Sequence, residues 1–126
     1  MVSKIASVEA LAEGWVVAEK VEVTPKDVQP GQTIHIRAFF RNQASWLPAY
    51  AVIKLKLDGV VIYDEWYIFG SGETYTLDYD YVLPTSISSG MAHRVEALEQ
   101  EQLTVPYFDF TVTAPPSPGY RNVSFS

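Results

Sequence analysis

The chain has 126 residues, enough for one domain that buries roughly two-thirds of its unfolded surface without covalent staples. It contains no cysteine, which excludes disulfides, thiolate metal centres and cysteine nucleophiles. Nine Lys and Arg against fifteen Asp and Glu leave a formal charge of −6, and the bases are scattered from Lys4 to Arg121, so nucleic acid is not an expected partner.

Residues 1–14 read as an N-terminal arm. Ile5, Val8, Leu11 and Ala12 fit a short helical spacing, one turn, that Gly14 ends. Glu9, Glu13 and Glu19 interrupt the apolar stretch, so it is not expected to act as an export signal, and no segment approaches the ~20 apolar residues of a membrane span. From Trp15 to Thr24 the residues favour a strand, which Pro25 ends. Pro25 to Gly31 is a turn. Thr33 to Asn42 then alternates, with Ile34, Ile36, Ala38 and Phe40 on one face and His35, Arg37, Phe39 and Arg41 on the other.

A loop from Asn42 to Pro48 carries Trp46. In Ala49 to Leu57, Ala51, Ile53, Leu55 and Leu57 oppose Tyr50, Val52, Lys54 and Lys56, and the lysines mark the wet face. Asp58-Gly59 is a strong hairpin signal, because a type I′ turn needs positive φ at both central residues. Val60 to Phe69 is the return strand. Gly70 to Glu73 turns the chain into Thr74–Leu83, where Tyr75, Leu77, Tyr79 and Tyr81 oppose Thr76, Asp78 and Asp80. Further strands follow at Met91–Leu98 and Leu103–Thr113, with Pro106 expected at an edge or a bulge. The proline-rich residues 114–126 form an extended C-terminal tail.

Short strands separated by turns, with no long helix, give an all-β fold: an immunoglobulin-like seven-stranded antiparallel β-sandwich over residues 15–113, with extended N- and C-terminal arms. Val23-Thr24-Pro25, Val28-Gln29-Pro30-Gly31-Gln32-Thr33, Arg41-Asn42, Leu57-Asp58-Gly59, Ser71-Gly72-Glu73-Thr74 and His93-Arg94-Val95 occur in an order that resembles the CARDB-type domains of bacterial and archaeal surface and adhesion proteins. The resemblance covers about Val21 to Leu98. It implies a seven-stranded sandwich and carries over no catalytic residue. The acidic, asparagine-rich ending common in such domains is replaced here by Leu103 to Phe110 and the tail.

Several side chains are candidates for chemistry. Asp58, Asp64, Glu65, Asp78 and Asp80 offer carboxylates as Ca²⁺ requires, with Asp78 and Asp80 the pair to check first; solvated faces are the competing reading. His35 and His93 lack nominated co-ligands. No nucleophile elbow, phosphate loop or dinucleotide fingerprint occurs, so an enzyme is not expected, and no cofactor is implied. Trp66, Tyr67, Tyr75, Tyr79 and Tyr81 either stack on sugars or fill the core, with core favoured for the last three. Trp46 is the better exposed binding candidate, and Tyr120, Val123 and Phe125 in the tail suit an arm that adds to a neighbour. Asn122-Val123-Ser124 matches a glycosylation acceptor. The expected role is therefore a structural or assembly protein of a virion or cell exterior that self-associates through its arms; the alternative is a carbohydrate-binding or adhesion module using exposed aromatics.

Overall fold

The computed structural model describes residues 15–114, and Tyr120, Val123 and Phe125 lie outside them. Eight strands follow one another: β1 (Val16–Thr24), β2 (Asp27–Val28), β3 (Thr33–Asn42), β4 (Ala49–Leu57), β5 (Val60–Phe69), β6 (Thr74–Val82), β7 (Met91–Glu99) and β8 (Tyr107–Val112). They form two sheets, β1-β3-β6 and β2-β8-β7-β4-β5. The all-β sandwich is as expected, with one more strand than the seven foreseen. The addition is β2, which runs parallel to β8 through Asp27↔Thr111 and Val28↔Val112 inside what reads in sequence as a turn. Every other pairing is antiparallel.

Alternation explains the core. Ile34, Ile36, Ala38 and Phe40 of β3 and Ala51, Ile53, Leu55 and Leu57 of β4 are buried, and they meet Val95 and Ala97 of β7 and Phe110 and Val112 of β8. Burying the Val, Ile, Leu and Phe side chains among them contributes about 1.5–3 kcal/mol each. The β4–β5 hairpin turns at Asp58 (φ 50°) and Gly59 (φ 83°), the backbone that Asp-Gly favours. The last strand is shorter than the sequence suggests: Leu103 to Pro106 are outside it, so Pro106 precedes the ladder and does not interrupt it.

Asn42 ties loops together from inside. It is 1% exposed; its Nδ2 donates to the carbonyls of Leu47 and Gly70, and its Oδ1 accepts from Ala44 N–H. On the side where β5 and β6 face each other, tyrosines close the sandwich. The hydroxyls of Tyr63, Tyr67 and Tyr75 form a hydrogen-bonded chain with spacings of 2.7 and 3.3 Å, and Tyr79 donates to Ile62 O. Tyr75, Tyr79 and Tyr81 pack half-buried against the core, so their rings belong to the interior.

Candidate functional site

Outward-facing residues of β4 and β5 build the main exposed apolar surface next to a groove. Cross-strand register sets Tyr50 opposite Ile68 and Val52 opposite Trp66. Trp66 is 63% exposed, Tyr50 61% and Ile68 60%. The Tyr50 and Trp66 rings lie 6.0 Å apart at 47°.

The neighbouring groove arises from unequal strand lengths. β7 pairs with β4 only from Ile53 to Leu57, opposite Glu99 to Val95, and then turns away through Gln100 and Glu101. Tyr50, Ala51 and Val52 therefore continue past the end of their neighbour. The space left, about 440 Å³, is lined by Tyr50, Ala51, Val52, Trp66, Glu99, Gln100 and Glu101. A smaller hollow of about 220 Å³, lined by Pro48, Ala49, Tyr50 and Ile68, shares Tyr50 with it.

Glu99 finishes the ladder with its side chain. Its Oε2 accepts from Val52 N–H at 3.1 Å and its Oε1 from Glu101 N–H at 2.8 Å, while Gln100 N–H donates to Val52 O. Glu99 is 4% exposed, and burial pushes its carboxyl pKa up against the opposing pull of those amides. Among the described residues no Lys, Arg or His lies within ion-pair distance of it.

The other candidates fall elsewhere. Asp78 and Asp80 stand on the outward face of β6 beside β3, where His35 Nδ1 meets Asp80 at 2.6 Å and Nε2 meets Asp78 at 3.0 Å; Arg37 Nε also donates to Asp78 at 2.8 Å. The Asp80 and Asp78 hydrogen bonds raise the His35 pKa, and Arg37 with His35 holds Asp78 below the usual carboxylate value. These carboxylates are engaged by His35 and Arg37 of the chain itself. No three His, Asp or Glu among the described residues are grouped to hold a metal.

His93, on the other sheet, is 5% exposed, with Nδ1 2.5 Å from Asp58 and Nε2 donating to Ser88 O at 2.7 Å. Burial favours its neutral form, but the Asp58 carboxylate and Ser88 carbonyl outweigh that and raise its pKa. His35 and His93 thus serve separate sheets and share no partner. Asp64 faces Lys54 at 3.9 Å across the hairpin. Trp46 is 66% exposed in its loop, and its ring meets Trp15 edge-on at 4.8 Å. Tyr67 is half-buried in the tyrosine chain, which separates it from Trp66 next to it in sequence. Sequence reasoning singled out Trp66 and put Tyr50 on the wet face of its strand, but it did not join them to Glu99.

No protein-family model and no curated protein matches the chain. Solved structures do. The CARDB domain of the PF1109 protein from Pyrococcus furiosus, in complex with di-metal ions, superposes with a TM-score of 0.65 at 14% identity, covering 79% of this chain and 94% of that one. The sporulation control protein Spo0M from Bacillus subtilis gives 0.57 at 12% identity over 89% of this chain and 54% of its own. The Pseudomonas fluorescens alkylpurine DNA glycosylase AlkC, bound to DNA with an abasic-site analogue, gives 0.62 at 19% identity over 78% of this chain and 31% of its own. The fold is therefore the CARDB-type, immunoglobulin-like sandwich that the turn signals resemble. Among the described residues no helix is long and apolar enough to cross a membrane.

Proposed function

We propose that this chain is a non-enzymatic protein-interaction module, a structural component of an assembly at a virion or cell surface. The observation that carries the reading is the concentration of exposed Tyr50, Trp66 and Ile68 on one face of the β4–β5 hairpin, contiguous with the groove. Aromatic anchors beside a concave, mostly apolar surface are the composition of interaction hot spots. The CARDB-type fold fits the same role. The same reading gives docking to segments 1–14 and 114–126, with Tyr120, Val123 and Phe125 as the tail residues proposed to make contact.

Light scattering of the full chain tests the reading. Self-association that disappears in a Trp66→Glu, Ile68→Lys double variant supports it, and so does loss in a version ending at Thr113, which locates the contact in the tail. A monomer at every concentration, with no partner retained by the intact face, defeats it. Glycan binding is the second reading, favoured by the exposure of Trp46 and Trp66. A glycan array that responds to this protein and goes silent in Trp46→Ala or Trp66→Ala decides for it.

A further inference from the structure

We infer that the groove beside Trp66 and Tyr50 receives an arginine side chain presented by a partner protein, with Glu99 as its counter-charge. The inference rests on the reading of the β4–β5 face as a docking surface and names what that surface recognises.

The molecule contains a filled version of the same arrangement. Arg94 lies over the Tyr107 ring, 3.7 Å from its centroid, while Nε and Nη2 donate to the two carboxylate oxygens of Asp109 at 2.8 and 3.1 Å. Ring face and carboxylate together hold a planar guanidinium, which stacks and hydrogen-bonds at once. The groove brings together the same kinds of group: the tilted Tyr50 and Trp66 rings and the acidic Glu99 and Glu101 all line it.

Glu99 favours a cationic occupant. Its oxygens accept from the Val52 and Glu101 amides and keep lone pairs free, and the buried carboxyl has no ion-pair partner among the described residues. A guanidinium on the Trp66 face supplies further donors and the opposite charge. Lysine fits less well, since its ammonium is more strongly hydrated and cannot stack as a plane. The chain's net charge of −6 draws a cationic partner toward the surface.

Titration of the full chain, followed by two-dimensional NMR, tests this with N-acetylarginine amide, its uncharged citrulline counterpart, N-acetyllysine amide and cellotriose. The arginine compound is expected to shift the Trp66 indole N–H and the amides of Val52 and Glu101, and citrulline to bind at least about ten-fold more weakly for want of the charge-assisted bonds. Trp66→Ala, which removes an exposed ring and leaves the core intact, abolishes the response, and Glu99→Gln weakens it about ten-fold. Equal binding of citrulline, shifts confined to other sites, or a response to cellotriose alone overturns the assignment. If arginine fails while the Trp66→Glu, Ile68→Lys variant still loses association, the docking face stands and its ligand is wrong; arginine binding with association unchanged leaves the groove standing and the assembly reading fallen.

Discussion

Asp58 sits at positive φ in the β4–β5 turn, and its carboxylate also reaches β7: Oδ1 accepts from Arg94 N–H at 2.9 Å, and Oδ2 faces His93. Both His93 nitrogens face oxygens, and the Ser88 carbonyl can only accept, so folding favours the imidazolium. A histidine pKa raised by folding adds stability that is complete below the ordinary value of 6.5 and is lost as pH climbs through the raised value. His35 acts in the same direction. Urea midpoints should therefore fall as pH rises above about 6.5, and Asp58→Asn should flatten part of that slope while lowering stability near pH 6 by about 1–3 kcal/mol. Asn42→Ala is a second test at this scale. It leaves the Leu47 and Gly70 carbonyls without their donor, so a loss of about 2–4 kcal/mol in denaturant melts is expected, with little change from Asn42→Ala in arginine binding. The turn at Asp58-Gly59 is legible from two adjacent residues. Its bond to His93 is not, because 35 residues separate the partners and only the packing of hairpin on β7 brings them together.

Strands are most legible here where alternation is strict, as in Ile34 to Phe40 and Ala51 to Leu57. β2 escapes that reading, since two residues have no period and are defined by their parallel partner β8. The outer edge of β1 shows the same limit. Gln102 donates from Nε2 to Ala18 O at 3.0 Å and accepts from Ala18 N–H at 2.8 Å, so a loop side chain pairs with the strand as another backbone would. An open edge invites further strands, and this amide blocks it. Gln102→Ala should speed hydrogen exchange at the Ala18 amide by at least about ten-fold and destabilise the fold by about 1–2 kcal/mol, as read by NMR exchange and denaturant melts. No change at Ala18 would mean that water replaces the side chain without loss.

Across the whole molecule, the composition of the candidate site was visible and its assembly was not. Tyr50 falls on the wet face by alternation and Trp66 stands out as an aromatic, yet the groove exists only because β7 stops opposite Ile53 while β4 runs on to Ala49. Strand ends depend on where partners leave the sheet, which no local pattern records. The tyrosines between β5 and β6 show a further property of the complete fold. The Tyr67 hydrogen bond and burial push Tyr75 up to about 12, and Tyr63 and Tyr67 are also raised, mainly by burial. In the unfolded chain the same phenols ionise near 10, so their contribution to stability is present below that value and drains away as pH rises beyond it. Alkaline spectrophotometric titration should consequently show Tyr63, Tyr67 and Tyr75 ionising late, together with loss of β-sheet circular dichroism. The seam that shuts one side of the sandwich thus doubles as an optical gauge of whether it is still closed.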